Sequence, residues 1–173
     1  MRERSDEDLM KAWANGSMEA FETLYSRYRA PLYRYLLRLA GDEATANDLY
    51  QGAWEKVIAA RRNLPKGAPF RAWLFRIAHN HAVDCFRRRR PETGLESETL
   101  ATSSPGPAEE VSIAEQQQSL ESAVQALPAD QRDALLLKLE GGLDLDEISR
   151  VTGVGRETVK SRLRYAVKKL RRT

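Results

Sequence analysis

The chain carries one cysteine, two histidines and no apolar run approaching bilayer length. A lone thiol, Cys85, excludes a disulfide within the chain and fits a reducing compartment. A membrane-spanning helix needs about 20 consecutive apolar residues, so no membrane insertion is expected. Met1 to Asp8 is charged and lacks the apolar segment of a signal peptide, which points to a soluble, cytoplasmic protein. Metal quartets, phosphate-cradling glycine loops and nucleophile motifs are also missing. No cofactor, catalytic residue, metal or small-molecule substrate is therefore expected, and the chain does not read as an enzyme. His81 and Cys85 stand four apart and could chelate, but His79 falls elsewhere on the helix and no fourth ligand has suitable spacing.

What is present is charge and helical periodicity. The 173 residues include 28 Lys and Arg against 25 Asp and Glu, a net charge of only +3, so the distribution of charge matters more than its sum. Ser5 and Asp8 form a cap signal ahead of Leu9, Met10 and Trp13. Phe21, Leu24, Tyr25, Tyr28, Leu32, Leu36 and Leu39 recur at three- and four-residue steps, the mark of an amphipathic helix, which Pro31 is expected to kink or divide. A third helix buries Leu49, Ala53, Trp54, Val57 and Ile58. A fourth starts near Pro69, with Phe70, Trp73, Leu74, Ile77, Ala78, Ala82, Cys85 and Phe86 on its stripe, and runs out in Arg87–Arg90.

From 91 the composition shifts to Pro, Gly, Ser, Thr and Glu, centred on Pro105-Gly106-Pro107. Such a segment buries too little apolar surface to offset its ordering entropy. The expected fold is all-α, with two small helical domains (5–90 and 112–173) joined by a flexible linker (91–111). The second domain reads as a helix from Val111 to Leu127, another from Ala129 to Glu140, a Gly141-Gly142 turn, and a short helix capped by Asp144. A turn at Thr152–Gly155 and a last helix from Arg156 complete a helix-turn-helix.

In that last helix Val159, Leu163, Ala166 and Leu170 form a narrow apolar seam. Glu157, Ser161, Arg164 and Lys168 lie opposite, a face suited to a major groove walled by phosphate. Arg164 suits a guanine edge and Lys168 a phosphate. A solvated basic face is the plain alternative, and the preceding turn and short helix count against it. On the fourth helix Arg76, Asn80, Val83, Asp84 and Arg87 share a face that combines cations with an amide, as an exposed base edge requires. Trp73 could stack on a base, although its place on the apolar stripe favours packing.

Several stretches together resemble the extracytoplasmic-function (ECF) sigma factors of RNA polymerase, group IV of the sigma-70 superfamily. They are Asp48-Leu49-Tyr50-Gln51 through Trp54-Glu55-Lys56-Val57, Phe70-Arg71-Ala72-Trp73-Leu74-Phe75-Arg76-Ile77-Ala78-His79-Asn80, Leu127-Pro128-Ala129-Asp130-Gln131-Arg132, and Gly155-Arg156-Glu157-Thr158-Val159-Lys160-Ser161-Arg162-Leu163. The resemblance implies core RNA polymerase and promoter DNA, duplex and melted, as partners, with an anti-sigma factor as a further one. It implies polymerase contact through Asp48, Gln51 and Glu55. The downstream promoter element would fall to Arg76, Asn80, Asp84, Arg87 and Arg88. The upstream element would fall to Arg156, Thr158, Lys160, Ser161, Arg162, Arg164 and Lys168.

One stretch departs from the family pattern. Where carboxylates are usual before the polymerase-contacting residues, the chain has Thr45-Ala46-Asn47-Asp48. Either Asp48, Glu55, Asp42 and Glu43 suffice, or docking is conditional and a Ser/Thr kinase restores charge at Thr45. Gly52 sits mid-helix at a cost of about 1 kcal/mol relative to Ala. A helix-turn-helix regulator acting without polymerase, and a protein-binding antagonist, are the rival readings.

Overall fold

Local capping chemistry sets most of the helix boundaries. The structure, a computed structural model, describes residues 3–65, 67–89 and 112–172. Ser5 accepts from the Asp8 amide and opens α1 (Asp6–Ala14), and Ser17 accepts from Ala20 and opens α2 (Met18–Ala40). Helix α2 stops at Gly41, whose φ of 85° is left-handed. Pro31 does not divide it: α2 runs unbroken through the proline. The lost hydrogen bond and ring clash cost about 3 kcal/mol. Burial of Leu24, Leu32, Tyr35 and Leu36 on the same helix, at about 1.5–3 kcal/mol for a large apolar side chain, outweighs that.

Asp42 caps α3 (Glu43–Ala59), which buries Ala46, Leu49, Ala53, Trp54 and Val57. Ile58, expected in the core, is 52% exposed, because one residue beyond Val57 turns about 100° off the buried face. A 3-10 turn at Arg61–Asn63, absent from the sequence reading, follows and leads to α4 (Phe70–Arg89). Trp73 is half-buried, its ring 5.8 Å from that of Phe70.

The second half opens on a capping box in which the Ser112 and Glu115 side chains each satisfy the other's amide. That cap starts α5 (Ile113–Gln125) later than the expected Val111, which itself lies outside the described residues. Helix α6 spans Ala129–Leu139, with Glu140 as its C-cap and not its last turn. A second capping box, Asp144 with Glu147, opens α7 (Leu145–Thr152). Gly153, at φ 75°, ends it, and α8 (Arg156–Arg171) follows. Residues 91–111, expected to be the linker, lie outside the described residues. Among the described residues every element is helical, and no helix is long and apolar enough to cross a membrane.

Helices α1–α4 pack around Leu9, Trp13, Leu24, Leu49 and Leu74, and α6–α8 around Leu136, Ile148, Val159 and Ala166; the two groups merge into one continuous core. They meet along a seam of α2 and α4 against α5, α6 and α7. At its centre the fully buried Tyr35 donates its hydroxyl to Asp133 at 2.7 Å. His79 Nδ1 sits 2.9 Å from the other Asp133 oxygen. Burial pushes the Tyr35 hydroxyl well above its ordinary pKa, and the Asp133 charge and hydrogen bond push it further.

Candidate nucleic-acid interface

Helix α4 is buried on two sides and leaves one open stripe. Phe70, Leu74, Ala78 and Ala82 face the N-terminal core, and Phe75 and His79 face the seam. What remains exposed is Arg76, Asn80, Asp84 and Arg87, at three- and four-residue steps along one side, followed by Arg88 and Arg89 at the helix end. Val83 is half-buried beside them. Among the described residues no hydrogen bond or ion pair engages the side chain of Arg76 or Asn80. The stripe therefore offers an amide and a guanidinium to an external partner, and the helix ends in three cations where its dipole favours positive charge.

His81 lies at the edge of this stripe against α3. Its Nε2 is 3.8 Å from the Cys85 sulfur. Burial, then the charge on Lys56, lowers its pKa and keeps the ring neutral near pH 7. A Cβ built on Gly52 would lie 2.2 Å from that same Nε2, so the mid-helix glycine is the notch into which the ring fits. Among the described residues no group of three or more His, Cys, Asp or Glu is arranged to hold a metal ion.

On α3, Asp48, Gln51 and Glu55 are all exposed and form one face with Ile58. Gln51 donates to Glu55 at 3.2 Å, an i, i+4 contact that aligns the two side chains. The basic end of α4 folds back over the start of this face. Arg89 donates to the Thr45 hydroxyl at 3.1 Å and stands 3.9 Å from Asp48. The sequence reading placed Thr45 correctly near the helix start, but not the guanidinium 44 residues away that occupies its hydroxyl.

In α8 the seam residues Val159, Leu163 and Ala166 are buried and Leu170 half-buried. Arg156, Thr158, Lys160, Arg164 and Lys168 are exposed on the far side. Ser161 and Arg162 are half-buried at the flank, with Arg162 3.7 Å from Asp130 of α6. Arg156 reaches Asp146 at 3.6 Å, tying the start of α8 to α7. Two concavities went unread in the sequence. A groove of about 680 Å³ between α6 and α8 is lined by Leu135, Leu139, Leu163 and Val167 and rimmed by Lys138 and Arg171. A cleft of about 820 Å³ is bounded by α1, the 3-10 turn and the start of α4.

A helix with an exposed basic face behind a glycine turn, and a second helix with an open cation–amide stripe, give this all-α chain two exposed basic surfaces of the kind that suits nucleic acid. Sigma-70 region 2 matches residues 24–92, and Sigma-70, region 4 matches residues 117–170. The ECF RNA polymerase sigma factor SigL of Mycobacterium tuberculosis is 34% identical over 157 residues, covering 87% of this chain and 86% of SigL. The RNA polymerase sigma factor CarQ of Myxococcus xanthus is 29% identical over 162 residues, covering 94% and 93%. The chain belongs to the ECF sigma factor family, and so binds RNA polymerase and directs promoter-dependent transcription initiation.

Two solved structures share the fold. The sigma factor RpoE of Bartonella quintana, in complex with the anti-sigma factor NepR, gives a TM-score of 0.72 at 24% identity, covering 90% of this chain and 96% of that one. CnrH, in complex with the cytosolic domain of CnrY, gives 0.71 at 24% identity, covering 96% and 95%.

Proposed function

We propose that the two halves read two parts of one promoter in different physical states. Helix α3 docks on core polymerase through Asp48, Gln51 and Glu55. The α4 stripe of Arg76, Asn80, Asp84, Arg87 and Arg88 reads the downstream element as melted single strand. Helix α8 lies in the major groove of the upstream element, with Arg164 on a base edge and Lys160 and Lys168 on phosphates. The observation that carries this reading is the open α4 stripe. A protein that binds duplex through a helix-turn-helix alone has no use for a second face combining an amide with three guanidinium groups. An anti-sigma factor, the partner of RpoE in its solved complex, fits this chain as an inhibitor.

Docking depends, in this reading, on charge at Thr45. Arg89 sits on that hydroxyl and draws the local charge positive where the docking face is otherwise acidic. A phosphate there, added by a Ser/Thr kinase, would bring about two negative charges beside the α3 N-terminus and neutralise Arg89. Thr45→Glu should then bind core polymerase more tightly than Thr45→Ala, and equal affinities would discard the modification.

The two-element reading is tested with promoters selected from a random-sequence pool by the reconstituted polymerase. Arg164→Ala should weaken duplex binding upstream by about fivefold to 150-fold, the 1–3 kcal/mol of one base contact, and leave capture of the melted strand intact. Asn80→Ala should do the reverse. If Asn80→Ala weakens the upstream duplex contact instead, the assignment of the two faces is wrong.

A further inference from the structure

Helix α8 carries seven Lys and Arg but a single acid, Glu157. At about 100° per residue, Glu157, Ser161, Arg164 and Lys168 fall on one line, opposite the buried Val159, Leu163 and Ala166. The acid thus stands in the middle of the groove-facing side, in the first turn. It is exposed, and among the described residues no hydrogen bond or ion pair engages its side chain. Two of the nearby cations are turned to other helices. Arg156 reaches Asp146 of α7 at 3.6 Å, and Arg162 stands 3.7 Å from Asp130 of α6. Arg164 rests on the ring of Tyr165, its guanidinium carbon 5.5 Å from the ring centre.

The helix dipole favours an acid anywhere in the first turn, so helix stability is indifferent to which side of the turn carries it. Groove contact is not indifferent. A carboxylate offers only acceptors and is repelled by phosphate, so it gains nothing from the groove walls. On the groove floor two bases present donors, the N6 amino group of adenine and the N4 amino group of cytosine. Adenine sets its amino group beside the N7 acceptor, a pair that suits an amide side chain. Cytosine offers the amino group alone, which suits a carboxylate. Guanine turns only acceptors to the groove, and thymine an acceptor and a methyl group.

We propose that Glu157 is a specificity-determining residue of the upstream contact, its carboxylate accepting from the N4 amino group of a promoter cytosine. The inference rests on the two-element reading above, in which α8 lies in the major groove. Glu157 and Arg164 are two turns apart, about 10 Å along the axis at about 1.5 Å per residue. At about 3.4 Å per base pair that is about three base pairs. The cytosine therefore lies about three base pairs from the base that Arg164 reads, with the shorter Ser161 side chain between them. The repulsion that Glu157 feels from phosphate makes it a filter as well, since any duplex without a donor at that position leaves a carboxylate in the groove with no partner.

The test uses the full chain bound to core polymerase, with promoters selected from a random-sequence pool by wild type, Glu157→Ala, Glu157→Gln and Arg164→Ala. Wild type should select cytosine at one upstream position, and replacing that cytosine with guanine or thymine should weaken binding by about fivefold to 150-fold, the span of one base contact. Glu157→Ala should level the four bases at that position and leave the other positions as they were. Glu157→Gln keeps the length of the side chain and supplies both a donor and an acceptor, so it should move the preference from cytosine to adenine. An exposed acid that only steadies the helix predicts none of this. Unchanged profiles for both Glu157 variants would overturn the assignment, as would a Glu157→Gln variant that still chooses cytosine as strongly as wild type. Loss of preference spread over every upstream position would overturn it too, because it would mean that α8 had shifted as a whole. In each of these cases a single position levelled by Arg164→Ala leaves the two-element reading standing. If Arg164→Ala also changes nothing upstream, that reading falls with the proposal.

Discussion

Replacing Gly52 with Ala should destabilise this protein, against the usual trend. In an ordinary mid-helix position the change gains about 1 kcal/mol, because Ala loses less backbone entropy on folding. Here the added methyl would stand 2.2 Å from His81 Nε2, 2.8 Å from Cε1 and 3.1 Å from Cδ2. All three distances lie inside van der Waals contact, so the ring must leave its notch. Overpacking of this kind costs about 1–3 kcal/mol, and subtracting the propensity gain leaves Gly52→Ala less stable by about 1 kcal/mol. His81→Ala alone loses packing at a half-buried site and should cost about 1 kcal/mol. The double variant removes the clash and keeps the helix gain, so it should be close to wild type. The cycle then shows a coupling near 2 kcal/mol. Urea unfolding followed by tryptophan fluorescence reads the relevant half, since Trp13, Trp54 and Trp73 all lie in α1, α3 and α4. Single-variant effects that add to within about 0.5 kcal/mol would refute the claim that Gly52 exists to seat His81.

A Cβ on Gly141 would meet the Leu137 carbonyl oxygen at 2.6 Å, and backbone cannot swing aside as a side chain can. Gly141→Ala should therefore cost about 1–3 kcal/mol in chemical denaturation, and a loss below about 0.5 kcal/mol would refute this. The Asp42 and Asp144 carboxyls accept amide hydrogen bonds at the starts of α3 and α7, which lowers both pKa values. Each contributes stability above its unfolded pKa of about 4, lost as pH falls through the lower folded value. Because Asn caps without titrating, the D42N/D144N variant should lose less melting temperature than wild type between pH 5 and pH 3. An equal loss would show that these caps do not drive acid sensitivity.

What could be read from sequence was local or strictly periodic. Ser5 and Asp144 announce their helices because a cap acts within three residues, and the Val159–Leu163–Ala166 seam follows from the helical repeat alone. The exposed Asn80 stripe was legible for the same reason. Helix α4 was misjudged as having a single buried stripe. It packs on two sides, and nothing near Phe75 or His79 signals that α7 and Asp133 lie beyond them. The reason for Gly52 lies 29 residues away, and the occupant of the Thr45 hydroxyl 44 residues away. Arg162 looks in sequence like its neighbours Lys160 and Arg164, and only the placement of α6 turns it toward Asp130.

The Tyr35–Asp133 bond joins positions 98 residues apart, one from each half. A second half borrowed from a relative would arrive with its own caps, its own groove-reading side chains and its own fold. It would not arrive with the acceptor that a buried Tyr35 hydroxyl demands. The outer faces of α4 and α8 are thus free to acquire new DNA preferences one residue at a time. The inner faces can change only in step with each other, so a new promoter preference can evolve without rewriting how the protein closes on itself.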